Sequence, residues 1–474
     1  MYTLANTSNP LNPPSEYSYQ KKVDGFYANA SVGFNNTYYL EASVRRDRSS
    51  AMPISNNNYL YPSISGVILF HDLLNLDFLT FGKLRANYAE VGNDTSPYNV
   101  FSSYDLGIAF DGNATASNSY SFNNPDLKEE RTKSYEVGVE ASMLNNRLTV
   151  DLSYYNSQVN DLLTPVDISN STGLGAKWLN AGTIENKGIE LMLSGTPIKV
   201  NDFSWKLSFN YSKNENLVIE LAEGLENLQL GSFQGGVSLN AIPGQPYGTI
   251  RGRDFVYNSQ GEKIVEDNGS YGARYKNSPL SNEMIGDMNP DWKGGIRNSF
   301  TYKDLSLSFL IDIQSGGDLF SLDTYYGFGT GLYDRSAGLN ELGNPKRDLV
   351  ANGGGVLLPG VTESGAPNTQ RSEAHNYRNP FGWKSLIQAM HVYDASYVKL
   401  RELKISYNVP ESILSGNTIK SATFSIIGKN LWIIDKNLPY ADPEAGLSAG
   451  NIQGYQSGAP AGVKEIGVNL NIKL

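Results

Sequence analysis

Thirteen segments of this chain alternate apolar and polar residues with a period of two, and most of them come in pairs joined by short turns. In the closing segment, 461–474, every second residue is apolar: Ile466, Val468, Leu470, Ile472 and Leu474. A strand sends successive side chains to opposite faces, so each segment has one apolar and one polar face. Repeated over most of the chain, this pattern predicts an antiparallel β-barrel in a membrane rather than a soluble enzyme.

The composition agrees with strands and excludes several classes of protein. No apolar run approaches the roughly 18 residues of a membrane-spanning helix, whereas barrel strands carry their lipid face in alternate residues. The net charge of −10 argues against a nucleic-acid partner, because no basic stripe is present to neutralise phosphates. The absence of Cys removes disulfides and thiolate metal sites.

The predicted strands follow this alternation and are bounded by turn residues. They cover 22–34, 37–47, 60–72, 80–92, the hairpin 131–159, 184–197, 203–215, 293–303, 304–315, 395–409, 420–434 and 461–474. Asn35-Asn36 and Asn145-Asn146 tolerate positive φ and predict two-residue hairpin turns. Another short turn is expected at Lys303-Asp304. Segment 247–258 is the place where a further strand is most easily missed.

Connections between the strands alternate between short and long. The long ones are 93–130, 160–183, 216–292, 316–394 and 435–460. Short periplasmic turns and long outer loops are typical of transmembrane barrels, which have an even strand count in single-chain bacterial proteins. Thirteen strands that end in the periplasm must begin outside. We therefore expect the C-terminal part of a longer barrel, with residues 1–21 as an outer-loop remnant and 22–474 as the partial barrel.

Six blocks of sequence occur in order along the chain. They are NPDLKEERTKSYEVGVEASMLNNRLTVDLSYYNSQVNDLL, NAGTIENKGIELMLSGTPI, IGDMNPDWKGGIRNSFTYKDLSLSFLIDIQSGGDLFS, YVKLRELKISYNVP, GKNLWI and YADPE. Together they resemble the SusC/RagA family of TonB-dependent outer-membrane transporters. The resemblance extends over nearly the whole chain, and its specificity comes from the combination of blocks.

The resemblance implies an all-β transmembrane antiparallel barrel of about 22 strands, of which about nine would be missing here. It also implies a signal peptide, a small carboxypeptidase-like domain, a TonB box and a plug, which we expect to be absent from this chain. Family members end on an aromatic residue, usually Phe, where this chain has Leu474.

The resemblance also implies a place and a function. The protein is expected in the outer membrane of a Gram-negative bacterium of the Bacteroidetes type, in contact with its lipid. The family imports glycan fragments or oligopeptides with a SusD-type surface lipoprotein as a lid. Energy comes from the inner membrane through the TonB–ExbB–ExbD complex, which would act through the missing N-terminal region.

Candidate catalytic groups are few. The three His residues (His71, His375 and His391) have no partner at metal-ligand spacing, and no metalloprotease motif or phosphate-binding loop occurs. We expect no enzyme activity, no cofactor and no metal. Asp442-Pro443-Glu444 has the form of a paired-carboxylate site, but we interpret it as a turn of an outer loop, with Pro fixing the backbone.

Polar and aromatic residues of the predicted strands have two interpretations each. Glu136, Glu140 and Asp151 could bind a cation, but a hydrated wall in which Lys and Arg pair with them is the favoured interpretation. Trp205 and Tyr211 lie in the apolar register near strand ends, where aromatic residues form the girdles at membrane interfaces.

Aromatic residues of the loops are the candidate solute contacts. An aromatic face suits the apolar C–H face of a pyranose, and packing within the loops is the alternative explanation. The candidates are Trp178, Tyr325, Tyr326 and Trp383.

A different class of function stays open from the sequence. The chain could be a soluble or surface β-rich module, such as an adhesin or glycan-binding protein without transport. In that case the apolar faces would form an internal core instead of facing lipid.

Overall fold

The computed structural model describes residues 18–107, 110–375, 379–414, 418–448, 450, 452–460 and 462–473. Within these residues, thirteen strands form one antiparallel sheet whose order follows the chain. They are β1 Val23–Phe34, β2 Tyr38–Ser49, β3 Asn58–Leu69, β4 Leu79–Asn93, β5 Glu130–Met143, β6 Leu148–Asn160, β7 Gly182–Val200, β8 Phe203–Leu221, β9 Pro290–Tyr302, β10 Leu305–Gly316, β11 Tyr397–Asn408, β12 Ser421–Lys436 and β13 Glu465–Lys473. All thirteen predicted strands are confirmed, and we call this sheet the wall.

The wall is open at both edges. Over the described residues, β1 pairs only with β2, and β13 pairs only with β12. Residues 1–17 and Leu474, on which two of the predictions fall, lie outside the described residues. No helix in the described part of the chain has the length and apolarity needed to cross a membrane.

One face of the wall is apolar from strand to strand, because residues paired across strands share a face. A central row crosses five strands through the paired residues Val150, Leu193, Phe209, Ile296 and Ile311. On this face large apolar side chains such as Leu152 and Ile426 are exposed rather than covered by protein. A wall that faces lipid requires such an uncovered apolar face.

The opposite face is polar and ion-paired. The Arg85 guanidinium donates to Glu136 at 3.2 Å and to Asp151 at 2.8 Å, and the Lys83 ammonium donates to Glu140 at 3.2 Å. All three carboxylates that could have bound a cation therefore have side-chain cations as partners. These contacts agree with the hydrated wall that the sequence favoured.

Two hairpin turns differ from the prediction in length. Asn35 and Asn36 do have positive φ, of 53° and 52°. However, Phe34 pairs with Tyr38, so that connection has three residues. Its third residue, Thr37, ties the turn to the next hairpin, because its carbonyl accepts from Leu69 N at 2.8 Å.

The connection between β5 and β6 is longer still, because Met143 pairs with Leu148 and leaves four residues between them. The prediction of a two-residue turn at Asn145-Asn146 was wrong. Arg147 instead bridges to the bulge near the end of β7, and donates to Thr196 O at 3.0 Å and Pro197 O at 2.8 Å. The turn at Lys303-Asp304 has the predicted two residues, with Lys303 at φ 50°.

The long connections fold into small sheets and short helices. A four-stranded sheet contains Thr249–Gly252, so segment 247–258 lies outside the wall and the strand count holds. The loop strands are Tyr104–Leu106, Ala116–Asn118, Ser121–Phe122, Leu163–Asp167, Ala176–Asn180, Leu228–Phe233, Val237–Ala241, Thr249–Gly252, Val265–Asp267, Ala273–Tyr275, Glu283–Asp287, Asp318–Ser321, Val356–Leu357, Arg371–Ser372, Val392–Asp394 and Tyr455–Gln456. The α-helices are His71–Leu74, Leu322–Thr330 and Glu411–Leu414, and the 3₁₀ helices are Ile54–Asn56, Asn170–Thr172, Gly269–Tyr271, Asp334–Ser336, Val350–Asn352, Gly382–Ser385 and Gln388–His391.

The apolar core of the molecule lies mainly in these connections, with contributions from the ends of wall strands such as Tyr59 of β3 and Val218 of β8. One buried cluster includes Phe255, Phe328 and Ile387, and another includes Phe320 and Tyr325. Helix Leu322–Thr330 contributes to both clusters. It begins where the Ser321 hydroxyl accepts from Thr324 N, and ends at Gly331 with φ 75°, which are ordinary N-cap and C-cap signals.

Candidate functional site

A cavity of about 520 Å³ lies between β11, β12 and the loop that follows β12. Lys399, which lines the cavity, pairs in register with Asp312 of β10, so both residues lie on the polar face of the wall. Cations, carboxylates and two aromatic rings line it, including Asp323, Arg401, Trp432, Lys436, Tyr440 and Glu444.

An ion-paired network closes one side of the cavity. The Lys399 ammonium, only 4% exposed, donates to Asp442 Oδ1 and Glu444 Oε2, both at 2.5 Å. Arg401 donates to both oxygens of Glu444 at 2.8 Å, the bidentate geometry that makes arginine–carboxylate pairs strong. The Tyr397 hydroxyl donates to Glu444 at 3.1 Å. We call these five residues the latch, because they join the loop to strand β11.

A β-bulge places Arg401 in the latch. Leu400 pairs with Trp432 and Glu402 pairs with Lys429, so one residue of β11 faces two residues of β12. One of those two, Asn430, has φ 50° and accepts from Arg401 at 3.2 Å. The GKNLWI block therefore encodes a bulge that turns an arginine toward the loop.

Asp442-Pro443-Glu444 forms a turn, as its sequence predicts. Asp442 Oδ1 accepts from Glu444 N at 2.9 Å, and Ala445 N donates to the Asp442 carbonyl at 2.9 Å. Both carboxylates have cationic partners, so the pair is arranged to hold the loop and not to exchange protons with a substrate.

The latch predicts a pH dependence. Burial alone would raise the pKa of Glu444, but hydrogen bonds from Arg401 and Lys399 outweigh it and lower the pKa to about 2. A lowered carboxyl pKa stabilises the folded loop above the unfolded value of about 4.3, and this stabilisation is lost as the pH falls toward about 2. The protection of 437–448 against hydrogen–deuterium exchange, relative to the intrinsic rate at each pH, should therefore stay constant from pH 7 to about 4 and decrease below. A Glu444→Gln variant should lack this transition; an identical profile in both proteins would contradict it.

Three of the four candidate aromatic residues lie together in the long connections. Tyr325 is 6% exposed, and its ring meets His391 edge to face at 5.3 Å. Tyr326, the next residue, is 37% exposed, and its hydroxyl accepts from Gln234 at 3.0 Å. Trp383 packs closely against the same helix, since a Cβ at Gly329 would lie 2.5 Å from the indole. Tyr326 is thus the tyrosine of this pair that faces outward.

Trp178 belongs to a different cluster, with Met52, Tyr59 and Leu127. Its carbonyl accepts from Asn124 at 3.1 Å, which ties two further loops together.

The three histidines hold the structure locally. His391 is fully buried, its Nδ1 lies 3.1 Å from the Thr324 hydroxyl, and burial together with the charge of Arg335 lowers its pKa to about 3. It is therefore neutral at any physiological pH. His71 contacts Gly82 O at 3.1 Å and His375 contacts Glu373 at 3.1 Å.

The predicted girdle residues pack with aromatic neighbours. Trp205 stacks on Phe300 at 5.9 Å and donates its Nε1 hydrogen to Asn298 at 3.0 Å. Tyr211 lies 5.7 Å from Trp292.

The sequence interpretation missed Lys399 and Arg401. A signal for them was present: apolar residues at Val398 and Leu400 are followed by Leu403 and Ile405, a slip of one residue in the period of two. Such a slip indicates a bulge.

The comparisons with known proteins agree with this architecture. A family model described as TonB dependent receptor-like, beta-barrel matches residues 2–309. TonB-dependent receptor P3 of Formosa agariphila is 26% identical over 97% of this chain and 46% of its own length. TonB-dependent receptor SusC of Bacteroides thetaiotaomicron is 22% identical over 92% of this chain and 42% of its own length. The chain thus spans about half the length of the curated relatives it matches.

A solved structure shares the fold. The RagAB peptide importer in the 'open-open' state aligns with a TM-score of 0.75 at 22% identity, over 99% of this chain and 49% of that chain. The family match, the SusC relative and this shared fold agree with the six sequence blocks. The chain therefore belongs to the TonB-dependent receptor-like β-barrel family, as a SusC/RagA-like barrel of the Bacteroidetes outer membrane.

Proposed function

We propose that this chain supplies part of the barrel and the outer loops of a TonB-dependent importer of glycan fragments or oligopeptides, and that it has no catalytic activity. The observation that carries this proposal is the two-faced wall. Its apolar face is uncovered, its polar face is ion-paired, and folded loops stand at one end. A solute path needs a polar interior inside an apolar exterior.

The outer loops are the proposed solute-binding region. Trp383 packs against the helix that carries Tyr326, and Tyr326 is exposed enough to contact a solute. The buried Tyr325 would support this surface, and Trp178 would contribute from a separate loop cluster.

The partners follow from the family. We propose a SusD-type lipoprotein as a lid over the loops, the TonB–ExbB–ExbD complex as the energy source, and outer-membrane lipid around the wall. Residues 1–21 would belong to an outer loop and 22–474 to the barrel of the complete transporter.

The proposal is tested by uptake in the host. Deletion of the gene should abolish uptake of its labelled oligosaccharide or oligopeptide solute. A Tyr326→Ala/Trp383→Ala double variant should reduce uptake about thirtyfold, because each aromatic contact contributes about 1 kcal/mol. Tyr104→Ala, an exposed tyrosine of another loop, is the matched control and should transport normally. Unchanged uptake after deletion would refute the importer, and normal uptake by the double variant would refute the aromatic contacts.

A soluble adhesin would need its apolar face as a core. The exposed apolar side chains of the wall do not favour this alternative. Heat-modifiable gel mobility of the protein in detergent separates the two, because a compact membrane barrel shifts on heating and a soluble monomer does not.

A further inference from the structure

Three cations of the outer loops lie directly over aromatic rings. They are Lys263 over Phe255 (Nζ 3.6 Å from the ring centroid), Arg335 over Phe381 (Cζ at 4.8 Å) and Lys384 over Trp383 (Nζ at 3.7 Å). A ring face attracts a cation but does not neutralise its charge. We call these three cations and three rings the cation site.

Lys263 and Arg335 lie over rings of one buried cluster, and Lys384 lies on the adjoining segment of the chain. Phe255 and Phe381 belong to one buried cluster, and Phe381 lies two residues before Trp383 in the chain. The rings of both phenylalanines are almost fully buried, whereas Arg335 and Lys384 are exposed and Lys263 is half-buried. The cations therefore form the outer layer of this part of the loops.

The charges of the site are not neutralised within the described residues. Lys263, Arg335 and Lys384 there take part in no ion pair, and their side chains donate no hydrogen bond. Burial, together with the charge of Arg335, lowers the pKa of Lys263, and the weaker influence of Asp254 opposes this. Neighbouring cations with unused donors are suited to an anion that would contact several of them.

We propose that the cation site binds the carboxylate or sulfate groups of an anionic glycan fragment. The choice of a glycan rests on the proposed import function and on Tyr326, whose exposed ring, on the helix that packs against Trp383, can contact a sugar face. The anionic oxygens would accept from Lys263, Arg335 and Lys384. A neutral sugar would leave these donors without a partner.

Isothermal titration calorimetry tests the proposal by measuring binding affinity with the complete protein, purified from outer membranes in detergent. The probes are hexagalacturonate, a heparin-derived hexasaccharide, neutral maltohexaose and hexaglutamate. We expect one of the two anionic oligosaccharides to bind, and a Lys263→Gln/Arg335→Gln double variant to bind it at least about tenfold more weakly, because both lost contacts are charge-assisted. Lys346→Gln is the matched control. This lysine of the same loops lies over no ring and has no ion pair among the described residues, so its loss should leave affinity unchanged.

The outcomes separate this site from import itself. Heat-modifiable mobility of the double variant verifies that it folds. Failure of both anionic oligosaccharides to bind, equal affinity in the double variant and the control, or tighter binding of hexaglutamate would each overturn the proposal. Binding needs no TonB, so lost uptake with normal binding counts against import and leaves the site standing. Uptake of a neutral solute without binding of the anionic probes would refute anion binding at the cation site and leave the import proposal standing.

Discussion

Replacing Lys399 by Met is expected to loosen the attachment of the loop after β12 to the wall. The ammonium is 4% exposed and is the cation that pairs with Asp442 among the described residues. Its loss leaves the Asp442 carboxylate without a cationic partner. The neighbouring carboxylate, Glu444, keeps its ion pair with Arg401. Removing one partner of a buried pair costs about 3–5 kcal/mol. Hydrogen–deuterium exchange of 437–448 should accelerate by two orders of magnitude or more, at about 1.4 kcal/mol per factor of ten.

The matched control for this experiment is Lys429→Met. Lys429 lies on β12, is exposed and forms no ion pair within the described residues. Its replacement should leave exchange of the loop unchanged. Equal protection of the loop in the Lys399 variant and the parent protein would show that the latch does not hold it.

Replacing Phe209 by Arg is expected to prevent stable insertion of the barrel. Phe209 lies in the central apolar row, between Leu193 of β7 and Ile296 of β9. An arginine at the bilayer midplane on the lipid face of a barrel costs about 2–4 kcal/mol. The fraction that migrates as a folded, heat-modifiable species after reconstitution in lipid should fall, and the urea midpoint of the remainder should decrease.

Asn210→Arg gives the control at the neighbouring position. Asn210 is exposed on the opposite face, where it pairs in register with Gly295. Because that face is polar, we expect a change within about 1 kcal/mol. If both variants were equally destabilised, the assignment of the two faces would be wrong.

The wall could be predicted from the sequence because its alternation follows from two different environments, an apolar one on one face and a polar one on the other. In β10, Leu305, Leu307, Phe309 and Ile311 take one parity and Ser306 and Ser308 the other, without reference to any distant residue. Register then follows, since a shift of one residue would exchange the two faces.

Turn lengths and the bulge were not predicted because contacts beyond the hairpin decide them. Arg147 stays in its turn to reach Thr196, and Asn430 takes a left-handed conformation that lets Arg401 reach Glu444. The sequence of one hairpin shows the break in the alternation, but it does not show which distant residue the bulge will contact.

The candidate site was predicted only in part for a similar reason. Tyr325 and Tyr326 are identical in type and adjacent, and only the helix around them decides which one is buried. That helix contains Gly327 and Gly329, which favour loops, and it is held by packing against Trp383.

The location of the core in the loops has a thermal consequence. Apolar burial dominates the heat capacity of unfolding, and the stabilisation it supplies weakens on cooling. The wall is joined by backbone ladders, and lipid rather than protein covers its apolar side chains. The order of the loops therefore depends on their own apolar packing, and we expect it to weaken on cooling whatever bilayer surrounds the wall.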